Sequence, residues 1–200
     1  MSIQQLVPLI LLFPLIGGII NGIAGKKLPK VLVGSLATIA STLSFVTALV
    51  VFFQLNEPVK IHLFRMIDLA DLRLSASLLA DNLSLWMVLI IMGIGSLIHL
   101  FSMGYMKHDA GYSKFFTYLN LFIFAMLILV LGSNYFMLFF GWEGVGICSY
   151  FLIGFHYSDA EKGMLNGIAA RKAFIMNRIG DLGLLIGLFL ILTQFGTLEY

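Results

Sequence analysis

Fifteen residues, "GWEGVGICSYFLIGF" (141–155), hold a single carboxylate, Glu143, among apolar side chains and between glycines at 141, 144 and 146. Downstream, "RKAFIMNRIGDLGLLIG" (171–187) adds Arg171, Arg178 and Asp181, spaced seven and three residues apart, and upstream "SLIHLFSMGY" (96–105) adds His99. Carboxyl and imidazole groups take up and release protons, and a fixed guanidinium biases them electrostatically. Proton movement along a polar axis is the chemistry these residue types can do. No P-loop, GxGxxG, HExxH or CxxC pattern offers phosphate, dinucleotide or metal chemistry. The one cysteine, Cys148, rules out an intrachain disulfide or a cysteine-built cluster and reads as a small packing residue.

The elements that must position these groups are membrane helices. Hydrophobic residues make up 60% of the chain, charged residues 11%, and mean hydropathy is +1.01, far outside the range of a soluble domain. The net charge of +2 comes in short groups, which excludes a nucleic-acid partner and leaves the lipid bilayer. Apolar runs long enough to span a hydrocarbon core fall near 3–24, 31–54, 83–104, 115–132, 134–155 and 167–194. The first lacks a basic n-region and a cleavage site, so it is a retained span. All four prolines precede residue 59, and a proline kink is expected only in the first helix. Between the second and third spans, "VKIHLFRMIDLADLRLSASLLAD" alternates apolar and polar residues around "DLAD", which predicts an extramembrane β-hairpin. Such a hairpin can cap the helix ends or offer a contact strip to a neighbouring subunit.

The expected fold class is therefore an all-α polytopic membrane protein of about six transmembrane helices plus a β-hairpin. It divides into two helices (1–56), the hairpin (57–82) and four further helices (83–200). Lys26, Lys27, Lys30, Lys107, Lys114 and Lys162 lie in the loops after the odd-numbered helices, against Lys60, Arg65 and Arg73 on the other side. The excess of basic residues marks the cytoplasmic side, so the N-terminus and the hairpin are expected outside.

In that frame Glu143 lies roughly 13 Å into the fifth helix, near the bilayer centre. A charged residue there costs roughly 2.5–3.5 kcal/mol or more, so stability alone would not select it, and intramembrane ionisable groups mark ion paths. The neighbouring glycines would let a helix or water approach the carboxylate. Arg171, Asn177, Arg178 and Asp181 share one face of the sixth helix, and an antiparallel turn would bring Glu143 and Asp181 to one depth. Arg178 and Asp181, one turn apart, are expected to pair. Gly180, Gly183 and Gly187 make a small-residue strip suited to tight helix packing. Lys172 reads as a lysine reaching for the interface. His99 has two readings, a proton acceptor linking the interior to bulk water or a satisfied structural histidine. Trp142 and Tyr105 read as ordinary packing or lipid-facing residues.

These motifs, together with "LIHLFSMGYM" and "GYSKFFTYLNLF", resemble the antiporter-like L-chain family of bacterial NADH:quinone oxidoreductase, respiratory complex I, the counterpart of mitochondrial subunit 5. The resemblance runs through essentially the whole chain. It implies a proton-translocating subunit of the inner membrane, driven by quinone reduction elsewhere and built of two inverted five-helix repeats with broken helices and a long lateral helix. It further implies membrane-arm subunits as partners, and NADH, FMN, iron-sulfur clusters and quinone as cofactors of other subunits, with none on this chain. Glu143 matches the family's glutamate, which pairs with a lysine on a broken helix, and Asp181 matches the aspartate of the following helix. Family members are roughly three times longer, so an N-terminal piece that would not pump alone is expected, without that lysine. A subunit of a multisubunit sodium/proton antiporter is the alternative, and a scaffolding module a third.

Overall fold

The computed structural model describes residues 2–69 and 72–200. Six helices, α1 (Ile3–Ala24), α2 (Lys30–Gln54), α3 (Asn82–Tyr105), α4 (Tyr112–Leu131), α5 (Tyr135–Ile153) and α6 (Gly163–Phe195), are each long and apolar enough to cross a membrane. The chain is a multi-pass membrane protein. The expected spans agree with these helices to within a few residues, except that α6 starts four residues earlier. At 33 residues and about 50 Å, α6 is longer than a hydrocarbon core of about 30 Å.

Strands β1 (Val59–Leu69) and β2 (Leu72–Ala80) form the antiparallel hairpin. Of the "DLAD" turn, Ala70 and Asp71 lie outside the described residues. The expected alternation holds on β2, where Leu74, Ala76, Leu78 and Ala80 are buried. On β1 it breaks: a bulge between His62 and Phe64 inserts Leu63 and leaves it exposed. Strand β2 is seated on the α4–α5 turn. The Ser77 carbonyl accepts from the Ser133 amide at 3.0 Å, and Asn134 Nδ2 donates to the Ser75 carbonyl at 2.9 Å. The capping reading is thus what β2 does within this chain, while β1 pairs along β2 and touches α1. The hairpin feeds directly into α3, where Asp81 accepts from the Ser84 amide at 2.7 Å and the Ser84 hydroxyl accepts from the Asp81 amide at 2.9 Å, a reciprocal cap.

Helices α1 to α4 form a bundle whose core, with Val7, Ile10, Leu85, Met92, Leu127 and Leu131, runs up under Leu78 of the hairpin. In lipid this association rests on close packing and interhelical polar contacts. Ser44 donates to the Ile10 carbonyl at 2.6 Å, and the Ser41 and Ser96 hydroxyls pair at 3.1 Å. Helix α5 packs on α4 and α6 on α5, at the edge of the bundle, so only Gly163, Ala170, Asp181 and Leu188 of α6 are buried by this chain. In the connecting loop, the backbone amides of Lys162 and Glu161 donate to the Asp159 carboxylate and hold it below the usual carboxylate range.

The α4–α5 contact depends on glycine. A Cβ on Gly141 would stand 2.6 Å from the Leu129 Cα, and one on Gly144 2.9 Å from the Ala125 Cβ. Backbone cannot step aside as a side-chain tip can. Gly141→Ala is expected to destabilise the subunit by about 1–3 kcal/mol, the range for overpacking. Thermal unfolding of the full-length protein in detergent reads this directly, and an unchanged transition would contradict it.

Candidate functional site

Helix α5 begins at the Asn134 side chain, which accepts from the Met137 amide at 2.8 Å. With Gly141 and Gly144 committed to α4, the side chains of Trp142 and Glu143 reach α6. The two helices are antiparallel: Gly154 lies against Ala170, Glu143 meets Arg178, and Trp142 meets Asp181. The glycines' expected role is therefore corrected. Gly141 and Gly144 serve the α4 contact, and only Gly146 faces the polar axis, where a Cβ would meet Asn177 at 3.9 Å.

Arg178 is the hub. Its Nη1 pairs with Glu143 Oε2 across the helices, and Asp181 Oδ2 lies 3.6 Å from the same nitrogen. The expected Arg178–Asp181 pair exists, but the closer carboxylate is Glu143. Side-chain exposure runs from 7% for Asp181 and 18% for Glu143 to 39% for Arg178. The guanidinium also lies over the Phe174 ring at 4.7 Å. Where the family resemblance implied a lysine on a broken helix, the cation beside Glu143 in this structure is an arginine of α6.

Trp142 was expected to take no part, and the structure corrects this. Its Nε1–H donates to Asp181 Oδ1 at 2.8 Å. A tryptophan N–H in hydrocarbon needs an acceptor, and that was the signal available in "GWEG"; which acceptor it meets depends on the α5–α6 register. Beside this bond lies a half-open pocket of about 230 Å³ lined by Trp142, Ser149, Asn177, Asp181 and apolar groups of α4 and α5. Trp142→Phe keeps most of the ring and removes the donor. It frees Asp181 to take a larger share of Arg178, and the rate of any transport through this site in the full-length protein is expected to fall by roughly three- to tenfold, the equivalent of one ordinary hydrogen bond at about 0.5–1.5 kcal/mol. A wild-type transport rate in this variant would show that the bond is idle.

The other expected site residues lie apart. Arg171 is exposed, with Nε donating to the Gly167 carbonyl at 3.3 Å, and Lys172 is exposed. The Gly180, Gly183 and Gly187 strip meets nothing within 4 Å among the described residues, so no helix packs on it here. His99 is fully buried with Nδ1 2.8 Å from the Gly95 carbonyl, and α3 contacts neither α5 nor α6. The structure therefore does not join His99 to Glu143. Among the described residues no group of three His, Cys, Asp or Glu side chains could hold a metal.

Two family models match this chain. Residues 66–116 match the N-terminus of chain 5 of NADH-ubiquinone oxidoreductase (complex I), and residues 132–200 match the transmembrane region of NADH:quinone oxidoreductase and Mrp antiporters. The second match contains Trp142, Glu143, Arg178 and Asp181. The chain belongs to the complex I chain 5 family of antiporter-like membrane subunits. It is 41% identical to NADH-quinone oxidoreductase subunit L of Pseudomonas aeruginosa over 98% of its length, covering 32% of that protein. With subunit L of Escherichia coli it shares 38% identity, again over 98% of its length and 32% of the relative. NADH-ubiquinone oxidoreductase chain 5 of Hypocrea jecorina is 38% identical over 96% of this chain and 28% of that one. The chain thus spans about a third of the length of these relatives. Among solved structures, a chain of an archaeal membrane-bound sulfane sulfur reductase superposes with a TM-score of 0.81 at 21% identity, over 98% of this chain and 38% of that one. A chain of the Mrp complex from Dietzia superposes with a TM-score of 0.76 at 22% identity, over all of this chain and 20% of that one. Both share the fold.

Proposed function

We propose that this chain belongs to a proton-translocating membrane subunit of NADH:quinone oxidoreductase, in which quinone reduction on other subunits drives proton transfer through Glu143, Arg178 and Asp181. The observation that carries the reading is one arginine shared by two carboxylates from two helices, at the middle of both spans and beside a half-open pocket. A shared cation lets one carboxyl group be neutral while the other is charged, and moving the guanidinium exchanges their roles. The relatives' names support the assignment to NADH:quinone oxidoreductase. On this reading the partners are other membrane-arm subunits, and NADH, FMN, iron-sulfur clusters and quinone are bound elsewhere in the complex. The placement is multi-pass in a bacterial inner membrane. The lysine-bearing loops argue for an external N-terminus and hairpin.

Sodium/proton antiport is the second reading, because one matching family model spans both kinds of complex. Proteoliposomes holding the full-length, assembled complex separate the two. NADH-driven acidification of the lumen is expected without sodium and with sodium on either side. Transport that requires a sodium gradient and ignores NADH would establish the antiporter instead.

A further inference from the structure

The α1–α4 bundle encloses a second polar cluster that the Glu143 site does not use. His99 on α3, Asn120 on α4 and Asn21 on α1 are 0%, 0% and 1% exposed. The Gly95 carbonyl can only accept, so His99 Nδ1 carries the hydrogen and Nε2 of the neutral ring is an acceptor. Asn120 Nδ2 donates to the Phe116 carbonyl at 3.1 Å and Asn21 Nδ2 to the Val33 carbonyl at 3.2 Å, which leaves both amide oxygens as acceptors. His99 Nε2, Asn120 Oδ1 and Asn21 Oδ1 have no hydrogen-bond partner.

Two of the groups adjoin, and the third lies on the helix that packs against them. The Asn120 amide lies beside the imidazole. It also lies against α1, since a Cβ on Gly17 would stand 3.5 Å from Asn120 Oδ1, and Asn21 follows one turn later on that helix. Three helices therefore supply three unpaired acceptors, none of which is reached by the second N–H of either asparagine amide. Each unpaired buried acceptor costs about 1–3 kcal/mol, and native interiors satisfy nearly all such groups. Because these 200 residues alone enclose the cluster, a side chain from another subunit could reach it only by parting the bundle. Whatever completes it is small and donates hydrogen.

We propose that α1–α4 bind one exchangeable hydrogen-bond donor between His99, Asn120 and Asn21, delivered either as a water molecule or as a proton on His99 Nε2. A water donates to two of the three acceptors. A proton turns Nε2 into a donor toward Asn120 Oδ1 and closes that bond directly. The groups acting on the ring are neutral: the Gly95 carbonyl, the Asn120 amide and the Phe116 ring at 6.1 Å. From α2 comes the Ser41 hydroxyl, paired with Ser96 of α3. At the loop end of the bundle the Lys30 ammonium lies 5.8 Å from the centre of the Tyr112 ring, and the charged Lys26, Lys27, Lys107, Asp109 and Lys114 belong to the same end. Helix α4 stands between this cluster and the Glu143 site, so the two can be tested separately.

Cryo-EM of the full-length, assembled complex, at a resolution that shows ordered water and at about pH 5.5 and about pH 8, either side of the ordinary imidazole value, reads the occupant. A density peak bridging His99 Nε2 and Asn120 Oδ1 at the higher pH identifies water. Direct contact between those atoms at the lower pH, with no peak at either pH, identifies the proton. An empty gap at both overturns the proposal. Melting of His99→Phe, Asn120→Leu and the double variant provides an independent sign. With a shared donor, each single change strands it and lowers the melting temperature, and the double change lowers it by less than the sum of the two. In a dry site each single change removes an unpaired acceptor, so a raised or unchanged melting temperature also overturns the proposal.

Discussion

Glu143→Gln in the full-length, assembled complex is expected to lower proton pumping by roughly ten- to a hundredfold while leaving the complex assembled. Gln keeps the shape of the side chain and can still accept a hydrogen bond from Arg178, so α5 and α6 hold their register. What is lost is the ability to ionise and the charge-assisted part of the pair with Arg178. Hydrogen bonds to charged groups contribute about 1.5–3 kcal/mol, and each 1.4 kcal/mol is about a factor of ten. In Glu143→Gln the arginine has one charged partner left, Asp181, and the alternation between two carboxylates stops. Pumping is read as lumen acidification per NADH oxidised in proteoliposomes, with subunit content checked on the same preparation. Unchanged stoichiometry and rate would remove Glu143 from the proton path.

Arg178→Gln is expected to act earlier, on assembly. Without the guanidinium, Glu143 and Asp181 face each other across α5 and α6 with only the Trp142 indole and the pocket to compensate them. Removing one partner of a buried charge pair costs about 3–5 kcal/mol; the lower end applies here, because the guanidinium is 39% exposed. The amount of assembled subunit should fall severalfold. In the Arg178→Gln, Glu143→Gln double variant one stranded charge is gone, so assembly should partly recover while pumping does not. A shared, static pair predicts this recovery. If Asp181→Asn assembles normally but pumps slowly, the arginine moves between its partners during turnover. Normal assembly and pumping in both Arg178→Gln and Asp181→Asn would leave the pair no role.

Most of the architecture is legible in the sequence because the bilayer imposes it. Backbone in hydrocarbon must satisfy its own hydrogen bonds, so each long apolar run has one solution, and six runs become six helices. The hairpin is legible from its period-two alternation, and Glu143, Arg178 and Asp181 stand out because ionisable residues are rare at that depth. Spacing along α6 and chain reversal at 154–162 even bring the two carboxylates to one level. What one-dimensional spacing could not supply is rotation. Which face of α5 meets α4 is decided by how closely Gly141 lets Leu129 approach, and that rotation delivers Glu143 to Arg178 and Trp142 to Asp181. The bulge after His62 and the enclosure of His99, Asn120 and Asn21 were likewise settled between helices and strands distant in sequence. Periodicity says which residues share a face; only packing, summed over contacts from several elements at once, decides what that face touches.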